Sequence, residues 1–284
     1  MYPASFDYFA PTTVKDALGL LKQHGDRAKL LAGGHSLIPM MKLRLVSPPV
    51  IVDLGRIREL AGIREERDHL VIGAMTPHQA VGASSAVNAR APLLAEVAPH
   101  IGDVQVRNRG TIGGSIAHAD PAADWPAALL ALEADFVAAA DGATRTIRAR
   151  DFFVDMLTTA LKPGEILTEI RVPFQARGGH AYEKVRQPAS GFALVGIAVQ
   201  LVMDGATCRE ARIGVTGVGP KPVRAERSES ALHGKTVDEA RVADAAGHVV
   251  DGLEALDDLH ASAEFRAELA RVHARRALRR AAER

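Results

Sequence analysis

The spacing of apolar and polar residues divides the chain into short helices and strands. Residues 16–24 read as an amphipathic helix, with Thr12 or Thr13 placed to cap its N-terminus. Residues 28–32 read as a strand running into a glycine-rich loop, and residues 39–45 follow until Pro48 and Pro49 break any helix. Residues 50–54 form a buried-type strand, so the opening segment is β-α-β, a small α/β unit closing near residue 55.

The pattern then resumes with a strand at 70–74, a helix starting at Thr76-Pro77 and another over 92–98. Residues 105–110 lead into a second glycine-rich stretch. Residues 124–132 are plainly helical, with Asp124 suited to the N-terminus. Strands at 135–140 and 144–149 flank the turn signal Asp141-Gly142, and 165–172 alternates as a strand ending at Pro173. Residues 175–180 look like a linker. Beyond it, strands at 182–186, 193–203 and 208–216, the last two joined by Asp204-Gly205, predict an antiparallel sheet. From Ser228 onward the pattern is mostly helical.

Composition narrows the function. The 284 residues are 47% hydrophobic and 24% charged, as in a globular protein that splits into two or three units. With 35 basic against 34 acidic residues, no global field recruits nucleic acid or an anionic membrane. The one basic concentration, Arg271, Arg275, Arg276, Arg279 and Arg280, is interleaved with Ala and Leu and reads as a solvated or partner-facing helix. A single cysteine, Cys208, excludes a disulfide framework and an iron–sulfur cluster built within this chain. Neither a secretory signal nor an apolar run of membrane-spanning length is present, which makes a cytoplasmic location the expectation. His100, His118 and His180 lack metal-ligand spacing, and no nucleophile elbow with a Ser-His-Asp order occurs.

Two segments carry the chemistry: Ala32-Gly33-Gly34-His35-Ser36 and Thr111-Ile112-Gly113-Gly114-Ser115. Each is read as following an apolar or β-prone run. Paired glycines let a backbone approach a ligand closely, and successive free N–H groups form a concave anion site to which hydroxyls add donors. Two such loops suggest the two sides of one pyrophosphate. Neither is a Gly-x-Gly-x-x-Gly fingerprint, which argues against an intrinsic nicotinamide-dinucleotide site.

Residues 30–44, and 106–115 running on to Asp124, resemble the two flavin loops of the molybdenum hydroxylase flavoproteins, in particular the FAD-binding medium subunits of the aerobic carbon monoxide dehydrogenase type. Residues 151–153, 163–173 and 181–185 and the Arg-rich terminal helix are similar to that family too, so the resemblance spans the chain. It implies an α+β fold: a vanillyl-alcohol-oxidase-type FAD-binding domain over residues 1–175, in two α/β subdomains of about 1–55 and 56–175, then a C-terminal domain of antiparallel sheet and helices over 180–284. It also implies an FAD-dependent electron relay. Electrons leave a molybdenum–pterin site on a large subunit, cross two two-iron two-sulfur clusters on a small one, and exit through this chain to an acceptor, in a dimer of heterotrimers.

The same resemblance assigns residues. Ala32, Gly33, Gly34, His35, Ser36 and Leu37 would cradle the FAD pyrophosphate, with Thr111, Ile112, Gly113, Gly114 and Ser115 closing over it. His35 would act as an N–H donor beside the phosphates, the FAD being non-covalent. Asp124 would bond the sugar-alcohol or ribose portion, unless it is simply a helix cap. Ile101, Gly102 and Leu167 would pack around the cofactor or belong to the core, and Lys184 would place a cation near the isoalloxazine. Phe192 stands where the family often has Tyr or Trp over one flavin face, so ring stacking is kept and a hydroxyl lost. Two other classes remain open on sequence: a freestanding flavin oxidase with its own organic substrate, and a nucleotide-binding module without redox chemistry.

Overall fold

The structure is a computed structural model that describes residues 2–175 and 178–284; the linker expected at 175–180 lies in part outside them, at Ala176 and Arg177. In the first unit, Val50–Asp53 is the central strand of a three-stranded parallel sheet, flanked by Asp7–Phe9 and Ala28–Leu31. Asp7–Phe9 has no apolar run to announce it and is largely exposed. Helix Val14–His24 is capped by Thr13, whose hydroxyl accepts from Asp16 N at 3.1 Å. Its buried residues Ala17 and Leu21 share a core with Val50, Val52 and Leu54.

The second unit is a five-stranded sheet in the order Ile63–Glu66, His69–Gly73, Ile166–Pro173, Asp135–Ala140, Ala143–Arg148. Every neighbouring pair is antiparallel, so the α/β label fits the first unit better than this one. The Asp141-Gly142 turn joins the last two strands as predicted, with Gly142 at φ +78° where a side chain would be strained. Helices between the strands, among them His78–Ala83, Pro92–Val97 and Ile112–His118, contribute Val81, Leu93, Leu94, Ile112 and Ile116 to the large core.

Beyond residue 180 the chain forms an antiparallel sheet from His180–Arg186, Ala193–Asp204, Thr207–Thr216 and Val223–Arg224. The period of two along a strand gives this sheet two different buried faces. Ala181, Val195, Ile197 and Val199 pack with the helices Glu239–Gly247 and Ala263–Ala282, whereas Tyr182 and Ala198 join the core of the second unit. Helix Asp124–Ala131 lies against that second face, and all eight of its residues are buried. Apolar all round, it has no solvent side to present. Gly214 shows how close the packing is: a Cβ there would lie 1.9 Å from the Ala127 carbonyl oxygen.

The terminal arginines remain exposed, as a solvated helix would have them, and several are also paired within the chain. Arg275 and Arg279 both bond Glu239, and Arg280 bonds Glu96 and Glu183. Much of that charged face is used inside the chain, because acidic partners from three other elements reach it. Among the described residues, no helix is long and apolar enough to cross a membrane.

Candidate functional site

Strand Ala28–Leu31 delivers the chain into the first glycine segment, which turns at Gly34 (φ +80°) and enters the helix Leu37–Lys42. The Gly34 carbonyl accepts from Ile38 N at 3.1 Å. Among the described residues, the N–H groups of Gly33, Gly34, His35, Ser36 and Leu37 donate to no protein acceptor. Five successive free amides on a half-buried turn are a donor set of the kind that an anion takes. His35 is exposed at its rim.

The second segment is built otherwise. The residues before it form a helix, Val104–Arg109, rather than the β-prone run expected, because Asp103 caps Val106 N at 2.8 Å. After Gly110, Thr111 caps a second helix, Ile112–His118, its hydroxyl accepting from Gly114 N at 3.1 Å. Ile112 N donates to Thr76 O, Gly113 N to Ala74 O and Ser115 N to Thr111 O. The amides from 112 to 115 therefore already have partners and are not a second cradle. What this segment offers is a flat, Cβ-free wall at Gly114 and a half-buried Ser115 hydroxyl.

The two segments touch. A Cβ on Gly33 would stand 2.3 Å from the Arg109 carbonyl oxygen and 2.6 Å from Gly110 Cα, and one on Gly114 would stand 3.2 Å from Ala32 Cβ. Gly113 serves a different contact: a Cβ there would fall 2.4 Å from Ala74 Cβ, so glycine lets the second segment seat on the chain beyond strand His69–Gly73.

A support absent from the sequence reading holds this junction. Trp125 Nε1 donates to His78 Nδ1 at 2.9 Å in the buried interior, and His78 N donates to Gly110 O at 3.0 Å. Burial, with smaller contributions from the neighbouring His35 and Arg107, lowers the His78 pKa to about 4, which keeps the ring neutral and able to accept from the indole. Trp125 is the only tryptophan in the chain, and its uniqueness is the sole sequence hint. Arg107 Nη1 donates to the carbonyls of Ile101 (3.0 Å) and Gly102 (3.1 Å), fixing that loop to the Val104–Arg109 helix. Ile101 is half-buried, and Gly102 adopts φ +48° against Val106. Leu167 and Ile112 are core residues behind the second segment, and Leu37 is half-buried just past the first.

Asp124 is not a cap. Ala123 holds the cap position, and the Asp124 carboxylate receives Tyr182 Oη at 2.5 Å and Lys184 Nζ at 2.8 Å. Lys184 also donates to His100 O at 2.9 Å, and its side chain is 1% exposed. Burial pushes the Asp124 carboxyl up and the Lys184 ammonium down, each opposed by the charge of the other. The cation expected beside a flavin ring is thus first a partner of Asp124 and of a backbone carbonyl. Phe192, 44% exposed, sits apart from the glycine segments on a turn tied by Ala193 N to Ala122 O at 3.2 Å. With Asp120, Pro121 and Met156 it lines a cavity of about 290 Å³ beyond the C-terminal end of helix Ile112–His118.

This donor set fits a dinucleotide diphosphate: free amides on one side, a side-chain-free wall on the other, and polar groups beyond. Among the described residues, no group of three or more His, Cys, Asp or Glu could hold a metal ion. Buried Cys208, its thiol pushed up to about 11, is inert.

Residues 4–175 match the family described as the FAD binding domain in molybdopterin dehydrogenase, and residues 180–281 match the CO dehydrogenase flavoprotein C-terminal domain. The chain belongs to this family of FAD-binding oxidoreductase subunits. It is 46% identical over 279 residues to the carbon monoxide dehydrogenase medium chain of Hydrogenophaga pseudoflava, covering 98% of this chain and 97% of that one. Carbon monoxide dehydrogenase from the same organism superposes with a TM-score of 0.97, covering 99% of this chain and 98% of that chain. The 6-hydroxypseudooxynicotine dehydrogenase complex subunit alpha of Paenarthrobacter nicotinovorans is 37% identical over 286 residues, covering 100% of this chain and 97% of the relative. Quinoline 2-oxidoreductase from Pseudomonas putida 86 superposes with a TM-score of 0.94 at 34% identity, covering 100% and 99%.

Proposed function

We propose that this chain is the flavin relay of a molybdenum hydroxylase. It would hold FAD non-covalently and stand between the iron–sulfur clusters of a small partner subunit and an external acceptor. Substrate would be oxidised at a molybdenum–pterin site on a large subunit, in a dimer of heterotrimers in the cytoplasm. Bound FAD would supply a carrier able to accept and release electrons singly or in pairs. The observation that carries this reading is the contact between the two glycine segments, with five unused amides, Gly33 to Leu37, in the first and at the helix start that follows it.

In this reading the amides of Gly33 to Leu37 bond the diphosphate oxygens, with the Ala32 backbone beside them. Gly114 keeps the opposite wall flat, Gly113 seats it against Ala74, and Thr111 holds it while Ser115 offers its hydroxyl. His35 contributes its backbone N–H. Asp124 meets hydroxyls of the sugar portion, and Ile101 and Gly102 pack at its edge. Lys184 tunes the site through the carboxylate that it neutralises, Leu167 and Ile112 give the site a rigid back, and Phe192 shields one face of the ring. The relatives' names include carbon monoxide, glyceraldehyde, caffeine and nicotine enzymes, which supports placing substrate choice on another polypeptide.

Purified chain should show flavin bands that bleach with dithionite, and co-expression with its large and small partner subunits should yield one complex of all three. A colourless chain that takes up no FAD contradicts the cofactor reading. A flavoprotein that oxidises an organic substrate with no partner contradicts the relay.

A further inference from the structure

We propose that Tyr182 is a positioning residue of the flavin site, holding the Asp124 carboxylate and, with Lys184, the backbone that leads from His100 into Ile101 and Gly102. The inference rests on the FAD reading above.

Tyr182 and Lys184 are two residues apart on strand His180–Arg186, so they point to the same face of the sheet. That face meets the start of helix Asp124–Ala131. Tyr182 Oη reaches one carboxylate oxygen of Asp124 at 2.5 Å, while Lys184 Nζ lies 2.8 Å from the same carboxylate and 2.9 Å from His100 O. The phenol is held on its other sides as well. His100 stacks edge-on against it, with ring centroids 5.4 Å apart, and a Cβ on Gly196, which pairs with Lys184 on the neighbouring strand, would come within 2.6 Å of its hydroxyl. A glycine in mid-strand, at a cost to the strand, gives the phenol the space it needs.

The chemistry of the group favours positioning over packing alone. Burial and the adjacent carboxylate raise the Tyr182 hydroxyl well above the ordinary phenol value, so it remains a hydrogen-bond donor. A carboxylate offers about four acceptor sites and an ammonium three donors. Tyr182 and Lys184 together use only part of the Asp124 carboxylate's acceptor capacity, which in the proposed site would be met by a ligand's hydroxyl groups. Without the Tyr182 donor the carboxylate would be free to turn toward Lys184, and it would no longer present a fixed oxygen. Phenylalanine keeps the ring and removes only the donor.

The test uses the full-length chain as wild type, Tyr182→Phe, Asp124→Asn and the double variant. FAD affinity is read from flavin fluorescence quenching, the flavin midpoint potential by spectroelectrochemistry, and folding from apo-protein thermal melts. Tyr182→Phe should weaken FAD about tenfold, because the released Asp124 carboxylate would lose its own charge-assisted hydrogen bond to the ligand, and should shift the potential. In the Asp124→Asn background the same change should do neither, because the two residues act as one unit. An equal loss of affinity in both backgrounds, or unchanged affinity and potential in Tyr182→Phe, overturns the proposal. If Tyr182→Phe does not fold, Lys184→Met takes its place: non-additivity with Asp124→Asn supports the unit and additivity overturns it. Wild-type chain that takes up no FAD defeats the cofactor reading itself, a result distinguishable from all of these.

Discussion

Gly33 has no room for a methyl group, since the nearest atom to an added Cβ is a carbonyl oxygen at 2.3 Å. Alanine there must push the first glycine segment away from Arg109 and Gly110, opening the junction without touching any core. Gly33→Ala should therefore fold with a melting point within a few degrees of wild type and lose FAD on gel filtration. Retention of full flavin by that variant would show that the junction does not set the site. The glycines were legible in the sequence because backbone approach needs glycine and little else supplies it. The engagement of Lys184 was not, because Asp124 and His100 reach it from elements distant in the chain and no local pattern encodes that pairing.

Among elements, the second glycine segment is the instructive difference. Paired glycines suggested an open loop, but the Thr111 hydroxyl takes Gly114 N while the Thr76, Ala74 and Thr111 carbonyls take Ile112, Gly113 and Ser115 N, so the amides from 112 to 115 are not left for an anion. Local capping chemistry won over glycine composition. Strands at 193–203 and 208–216 were readable because two long segments with strand-like patterning flank an Asp-Gly turn, whereas Asp7–Phe9 was not, being short and exposed. Helix Asp124–Ala131 is tied to Gly110 through Trp125 and His78, and that tie carries a pH signature. The folded pKa of His78, about 4, lies below its ordinary 6.5, so the unfolded chain takes up the proton first on acidification. Stability present above pH 6.5 should fall as pH drops toward 4, by about 3 kcal/mol from this group. His78→Asn keeps an acceptor for the indole without the titration. Urea denaturation across this range should show the variant losing about 3 kcal/mol less than wild type; parallel curves would contradict the assignment.

At the scale of the molecule, the C-terminal unit reaches the start of helix Asp124–Ala131, and in the proposed function it would complete the site. Its strand His180–Arg186 supplies Tyr182 and Lys184, and it is clamped to helix Pro92–Val97 by Glu96, which accepts from Tyr182 N at 2.9 Å, Arg280 at 2.5 Å and Arg284 at 2.5 Å. The helical arginines, read from sequence as a solvated or partner-facing stripe, include Arg280 of this clamp. The order of the units was legible from the resemblance. How they dock was not, because the docking contacts pair residues 60 to 188 positions apart in the chain.

The central claim, that FAD is gripped by the free amides of the first glycine segment against the wall of the second, is tested most directly by hydrogen–deuterium exchange. The full-length chain is followed with and without saturating FAD. Exchange should slow strongly in peptides covering residues 33–37 and change little at 112–115, whose amides already have partners. A protein saturated with FAD whose 33–37 amides exchange as fast as before would contradict the account.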